Sequence, residues 1–153
     1  MKFPFIVVLL LPVWAAAQSS YIPVHKFDSK HDPAADLRAA IAEAQRTEKR
    51  IILDVGGDWC VYCHQMDELF QQHPDLASLR DEHFITVAVY YATDNKNPQF
   101  LSQYEKIPGI PHLYVLDDHG RLVRSQPAIE LREPKTGSYS PDRMRAFLLR
   151  WSN

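Results

Sequence analysis

Two cysteines separated by two other residues are the feature of the sequence most able to do chemistry. Cys60 and Cys63 are followed by His64, and C-x-x-C-H is the attachment signal of a c-type haem. Trp59 precedes the pair, and a Trp-Cys-x-x-Cys segment is equally typical of a centre that exchanges thiols and disulfides. The two interpretations exclude each other, because a haem holds both sulfur atoms in thioether bonds, whereas exchange needs them to form and break a disulfide. The elements around the pair must therefore distinguish them.

The beginning of the chain bears on the compartment in which these cysteines would work. Lys2 precedes an apolar run at 5–13, and three alanines at 15–17 form a small-residue cleavage site. We expect a signal peptide over residues 1–17 that is cleaved off, because prolines interrupt the run and it is shorter than the ~20 residues of a membrane span. The mature protein is then expected to be periplasmic or otherwise exported, without stable membrane insertion.

Length, charge and cysteine count narrow the function further. The 153 residues include 17 basic and 19 acidic side chains, a net charge of -2, so the composition gives no reason to expect a nucleic-acid partner. In an oxidising compartment, two cysteines usually form a structural disulfide. A bridge between positions three apart hardly restricts the unfolded chain, so reactivity explains this pair better than stability does.

Helix and strand patterns alternate around the cysteine pair. An N-terminal arm at 18–33, which forms a short strand or packs across a sheet edge, precedes one α/β domain at 34–153 with a mixed central sheet and helices on both faces. The apolar run at 51–55 predicts a central parallel strand. The other expected elements are a helix ending near 49, helices from about 60, at 74–81 and at 98–106, a strand at 84–91, a hairpin of 112–116 and 121–125, and a helix from 141. The polar segment 126–139 is long for a connection and is predicted to be an ordered surface loop or a mobile flap.

The helix that begins at about Cys60 explains why a reactive thiol would lie there. Backbone N–H groups and the positive end of the helix dipole favour a thiolate at this position. Cys63 returns to the same face three residues later and can close the disulfide. We therefore predict that Cys60 attacks and Cys63 resolves. His64 is a candidate for tuning the thiolate pKa, although an exposed histidine without a role explains it equally well.

Asp54 is the third candidate catalytic residue. It interrupts an otherwise apolar strand, where burial of a carboxylate is unfavourable and raises its pKa. A carboxyl group of this kind can act as general base or acid for Cys63. The alternative is an aspartate at a strand end that simply faces water.

Together these residues resemble the thioredoxin family. Asp54 lies six residues before Cys60, and Trp59 directly precedes the pair. Gly109-Ile110-Pro111 comes just before the predicted hairpin. The resemblance covers roughly residues 34–151 and implies a thioredoxin fold.

The resemblance also implies a substrate-binding surface. In this family the proline equivalent to Pro111 follows a cis peptide bond and packs against the disulfide. The residue before it, here Ile110, pairs its backbone with the incoming substrate chain. Trp59 would belong to the same substrate-binding set.

Within the family, the sequence is similar to exported single-domain members and to the soluble thioredoxin-like domain of the transmembrane disulfide reductase. The resemblance implies a thiol-disulfide oxidoreductase that acts on protein or small-thiol disulfides and is re-reduced by a membrane or other thiol donor, with no cofactor and no metal. The linker Val61-Tyr62 is neither the Gly-Pro of cytosolic thioredoxins nor the Pro-His of strong periplasmic oxidases, so it leaves the direction of electron flow open. Asp54 and Ile110 match the reducing branch.

Three other functions remain open at this point. A c-type cytochrome would use His64 and a residue such as Met144 as axial ligands, but strands have no role in a small helical cytochrome. A zinc site would combine the cysteines with two histidines chosen from His64, His83, His112 and His119. A binding module without activity would use 126–139 as its contact surface, although it would have no need of both cysteines and Asp54.

Overall fold

Helices and strands alternate along the part of the chain that the computed structural model describes, which is residues 21–152. The expected signal peptide therefore lies outside the described residues. The helices are α1 Pro33–Thr47, α2 Val61–Gln72, α3 Pro74–His83, α4 Pro98–Leu101 and α5 Pro141–Trp151, and a short 3-10 helix covers Ala128–Leu131. The strands are β1 Arg50–Gly56, β2 Phe84–Tyr90, β3 His112–Leu116 and β4 Leu122–Pro127.

A four-stranded mixed sheet organises these elements. Its order is β2-β1-β3-β4, with β1 parallel to β2 and antiparallel to β3, while β3 and β4 form an antiparallel hairpin. β1 is thus an inner strand, as its apolar run predicts, and the predicted mixed sheet is confirmed. The carboxyl end of β1 leads directly into the segment that carries the cysteines.

Side chains of β1 alternate between two apolar cores, one on each face of the sheet. Ile51, Leu53 and Val55 belong to the core beneath α1 and α4. Ile52 belongs to the core formed with α2, α3 and α5. Because successive strand residues point to opposite faces, Asp54 lies on the same face as Ile52, under the helix that begins after the cysteines.

The N-terminal arm contacts the outer edge of the sheet. Val24 forms an isolated parallel bridge with Val87 of β2, and its carbonyl accepts the N–H of Ala88 at 2.8 Å. Of the two forms expected for the arm, the structure shows the edge contact with a single bridge. No helix among residues 21–152 is both long and apolar enough to cross a membrane.

The prediction of a helix up to residue 106 was wrong, because α4 is only four residues long and ends at Leu101. The Ser102 hydroxyl donates to the carbonyl of Gln99 at 2.9 Å, and the Gln103 amide donates to the carbonyl of Phe100 at 2.8 Å. These side chains take up carbonyls that a continuing helix would need. The apolar side chains of this segment still pack together after the helix ends, since Phe100 and Leu101 are buried and Tyr104 packs against them.

The segment 126–139 is an ordered part of the fold. β4 extends to Pro127, two residues beyond the predicted strand end, and the 3-10 helix follows at once. Arg132 and Tyr139 then pair as an antiparallel bridge, closed by a turn in which Gly137 has a φ of 72°. Of the two forms predicted for this segment, the structure shows the ordered loop. The segment folds back toward the start of α2, where Arg132 contacts Tyr62.

Candidate active site

The two cysteines lie at the junction between β1 and α2, and they form a disulfide. Cys60 is the N-cap of α2, and its sulfur accepts the N–H of Cys63 at 3.1 Å. Their Cα atoms are 5.2 Å apart, and both residues are almost fully buried. The structure thus places Cys60 where the free N–H groups and the dipole of α2 stabilise a thiolate after reduction.

Gly56 allows the second cysteine to approach the sheet closely. A Cβ at this position would lie 2.6 Å from Sγ of Cys63 and 2.8 Å from Cζ of Phe27. Any larger residue would therefore push the disulfide off the strand. Since Gly56 is two residues after Asp54, both residues are on the face of β1 that Cys63 contacts.

The side chain of Asp54 lies on this face of the sheet, and its carboxyl group is enclosed by neighbouring residues. Oδ1 is buried without a hydrogen-bond partner among the described residues, and Asp54 shares a cavity of about 30 Å³ with Thr86, whose Oγ1 is also buried and unpartnered. The pKa of the Asp54 carboxyl is raised from 3.8 to about 7, mainly by burial and also by the charge of Asp67, while the charge of Arg80 opposes the shift. The carboxyl can therefore hold or release a proton near neutral pH, which suits a general acid or base.

Asp67 is a residue of the site that the sequence reasoning did not assign. It lies on α2, four residues after Cys63, and lines the same cavity as Asp54. Burial raises the pKa of the Asp67 carboxyl, while the nearby charges of His64 and Arg80 lower it. The helical spacing from Cys63 could have indicated this residue, because positions i and i+4 share a helix face.

His64 lies in contact with the loop before the cysteines. Its Nε2 donates to the backbone carbonyl of Asp58 at 2.6 Å, and the side chain is exposed. This hydrogen bond ties the start of α2 to the preceding turn. A direct role of His64 in tuning the Cys60 thiolate stays a prediction.

Trp59 directly precedes the disulfide, and Ile110 and Pro111 lie in the segment before β3. The indole Nε1 of Trp59 donates to the carbonyl of Tyr91 at 2.9 Å, and the ring remains more than half exposed. The Ile110–Pro111 peptide bond is cis. Both of these residues line a pocket of about 180 Å³ that Tyr62 of the cysteine linker also lines. A role of these three residues in substrate binding stays a prediction.

Among residues 21–152, the cysteines and histidines do not come together in a group of three or more potential metal ligands. His112 is fully buried, its Nε2 is 2.9 Å from the Ser125 hydroxyl, and its ring packs on Tyr114. Burial lowers the pKa of His112 to about 4, so the ring is neutral and serves packing. Within residues 21–152, the group with enough ligand atoms close together is Asp117, Asp118 and His119 on the exposed hairpin turn, which lacks a cysteine.

Comparison with known proteins decides the family. Residues 32–118 match a family model described as thioredoxin-like. The chain belongs to the thioredoxin-like family. This membership and the bonded Cys60–Cys63 pair confirm the predicted class, a thiol-disulfide oxidoreductase, and with it the disulfide interpretation of the C-x-x-C-H segment.

Among curated proteins, the chain is similar to two that are named thiol:disulfide interchange protein DsbD. The protein of Pseudomonas fluorescens is 30% identical over 119 residues, which cover 77% of this chain and 18% of that protein. The protein of a Pseudomonas species is 33% identical over 121 residues, which cover 76% of this chain and 20% of that protein. The chain thus spans about a fifth of the length of these relatives.

Solved structures share the fold. The disulphide isomerase of Xylella fastidiosa superposes with a TM-score of 0.69 at 21% identity, covering 85% of this chain and 98% of that one. The oxidised C-terminal domain of Neisseria meningitidis DsbD gives a TM-score of 0.58 at 18% identity, covering 82% of this chain and 98% of that one. The predicted thioredoxin fold is confirmed.

Proposed function

We propose that the protein is exported and that it reduces or exchanges disulfides of protein substrates, with Cys60 as nucleophile, Cys63 as resolving thiol and Asp54 as their proton acceptor and donor. Three observations support this proposal. The signal-like start of the chain indicates export, and the curated relatives are interchange proteins. The enclosed Asp54 carboxyl, on the sheet face that Cys63 contacts, carries the mechanistic part.

The reaction starts from the reduced protein. The Cys60 thiolate attacks one sulfur of the substrate disulfide, so that a mixed disulfide forms and the other substrate sulfur leaves as a thiolate. Asp54 then takes the proton of the Cys63 thiol. The resulting Cys63 thiolate attacks Sγ of Cys60, releases the second substrate sulfur and closes the Cys60–Cys63 disulfide, and two electrons have passed to the substrate.

The closed disulfide must be reduced again before the next cycle. A thiolate of a donor dithiol, of the membrane or of another protein, attacks Sγ of Cys60 and releases the Cys63 thiolate. The second thiolate of the donor then attacks the donor sulfur bound to Cys60, so that the donor leaves as a disulfide and Cys60 leaves as a thiolate. Asp54 returns its proton to Cys63 in this direction, because each step is the reverse of the one above. A partner dithiol thereby replaces a nicotinamide or flavin as the source of electrons.

Trapping of mixed disulfides tests this assignment of roles. Replacing Cys63 by serine stops resolution, so the Cys63→Ser protein should accumulate covalent adducts with substrates when it is expressed with its signal peptide. The matched Cys60→Ser protein should accumulate far fewer, since Cys60 and not Cys63 is the N-cap of α2, where a thiolate is stabilised. Equal trapping by the two variants, or none by either, would contradict the roles proposed for the cysteines.

A further inference from the structure

The guanidinium group of Arg132 lies beside the redox pair without a carboxylate partner among residues 21–152. Its central carbon is 3.9 Å from the ring centroid of Tyr62, the linker residue between the two cysteines, and 5.9 Å from that of Tyr139. Nε donates to the carbonyl of Gly137, which fixes the plane of the group. Arg132 also lines a pocket together with Tyr62 and Pro111.

The other arginines of this region show how unusual that situation is. Arg124 is 3.3 Å from a carboxylate oxygen of Glu130, and Arg143 is 3.6 Å from one of Glu133. Both pairs hold the segment around the 3-10 helix together. Arg132 comes from the same segment, yet it lines the pocket and forms no ion pair with a carboxylate among the described residues.

The surroundings of Arg132 are mainly apolar. Ile110 and Pro111 line the pocket, and so does Ile129 of the 3-10 helix, which is 71% exposed. Beyond the pocket, Trp59 and Val61 add further exposed apolar surface at the start of α2. A polypeptide chain suits this surface better than a small disulfide does, because the apolar area extends past a pocket of about 180 Å³.

We propose that Arg132 makes the pocket selective for polypeptide substrates that carry an aspartate or glutamate next to the reacting cysteine. The inference rests on the proposed function and names the substrate class of the same site. A carboxylate would accept hydrogen bonds from the terminal nitrogens of Arg132 while the substrate sulfur lies near Cys60. The neighbouring apolar surface reduces the competition from water and strengthens this pairing.

The same geometry explains what the segment 126–139 contributes. The 3-10 helix ends at Leu131, directly before Arg132, and the bridge between Arg132 and Tyr139 fixes the backbone on both sides. The carbonyl of Pro111 accepts the N–H of Ala128 at 3.4 Å, which anchors the segment to the cis-proline turn. The segment therefore forms a wall of the substrate pocket and presents one positive charge there.

Two synthetic peptide disulfides test the inference. They differ only in glutamate or glutamine beside the cysteine, and the rate at which the reduced full-length mature protein reduces each is measured at low ionic strength. The wild type should prefer the glutamate peptide about fivefold, the value of an ion pair of moderate exposure. High salt should diminish this preference, because exposed charges are screened.

Variants identify the group responsible. Arg132→Gln should reduce both peptides at the rate that the wild type shows for the glutamine peptide, and Arg132→Lys should retain part of the preference. Arg121→Gln removes the same charge at the hairpin turn, where Arg121 pairs with Asp117, and should keep the full preference. If Arg132→Gln does not fold, the lysine variant and the salt dependence of the wild type still test the charge.

The outcomes separate the inference from the function on which it rests. Reduction of neither peptide by the wild type would contradict the proposed function itself. Equal reduction of both peptides would overturn the role of Arg132 and leave the reductase intact. A preference that persists in Arg132→Gln, or that disappears equally in Arg121→Gln, would also overturn it, because the selectivity would then come from another group or from net charge.

Discussion

Helices α1 and α2 both begin with a side chain that accepts a backbone N–H, but the two N-caps have different roles. Asp32 caps α1 with a carboxylate that accepts the N–H of Ala34 at 2.9 Å, whereas Cys60 caps α2 with a sulfur that accepts the N–H of Cys63 at 3.1 Å. Aspartate is among the residues most favoured at an N-cap, and cysteine is not. The free N–H groups of α1 thus serve stability, while those of α2 favour a thiolate.

The largest effect on the rate of disulfide reduction is expected when serine, a more favourable N-cap residue, replaces Cys60 at the start of α2. Cys60→Ser should lower the rate of disulfide reduction by more than about a thousandfold, because the nucleophile is lost. Its free energy of unfolding should stay within about 1 kcal/mol of the reduced wild type, since serine caps a helix well. Activity against a model disulfide and urea unfolding under reducing conditions measure the two quantities. A variant that loses its fold together with its activity would show that α2 depends on the sulfur itself.

A second prediction concerns the acid beneath the start of α2. The folded pKa of Asp54, about 7, lies above its ordinary value of 3.8, so folding favours the protonated form. The free energy of unfolding of the oxidised wild type should therefore fall as the pH rises from about 4 to 7 and level off above that range. Asp54→Asn should remove this dependence and be more stable than the wild type by about 2 to 3 kcal/mol at pH 8.

The same Asp54→Asn protein should resolve mixed disulfides at least about a hundredfold more slowly near neutral pH, because it lacks the proton acceptor. Asp58→Asn is the matched control, since this substitution removes a carboxylate as Asp54→Asn does, but from an exposed position. Urea unfolding across the pH range and the rate of the second thiol step provide the measurements. If Asp58→Asn reproduced both effects, the loss of net charge and not the enclosed carboxyl would be responsible.

The smallest effect is expected at the cap of α1. Asp32→Ala should lower the free energy of unfolding by about 1 kcal/mol, the usual value of an N-cap hydrogen bond, and leave the rate of disulfide reduction unchanged. Asp32→Ser retains a capping oxygen and should recover most of the stability. Loss of activity in a folded Asp32→Ala protein would remove the contrast between the two helix starts.

The sequence predicted those parts of the site that depend on neighbouring residues along the chain. The apolar run of β1, the glycines after it and the cysteine spacing together define a strand-to-helix junction, and the structure has one there. Asp54 is recognisable because a carboxylate inside an apolar run is unusual on its own.

Other parts of the site depend on contacts between segments that are distant in the sequence, and the pattern of neighbouring residues does not predict them. Asp67 contributes to the Asp54 site through its position in a shared cavity, and Arg132 reaches Tyr62 across 70 positions of the chain. The polar segment 126–139 has no period from which its 3-10 helix and bridge could be predicted. The early end of α4 follows from side-chain hydrogen bonds of Ser102 and Gln103 that helix propensity does not include.

The reduction potential of the Cys60–Cys63 pair shows whether the protein is a reductase, because it determines the direction in which electrons flow. The purified exported protein would be equilibrated with glutathione buffers, and the fraction of disulfide measured by thiol trapping. A reductant supplied by a thiol donor should have a potential near that of thioredoxin, roughly -270 mV. A potential near -120 mV, typical of a strong oxidant, would contradict the proposed role as a reductant and make the protein a donor of disulfides.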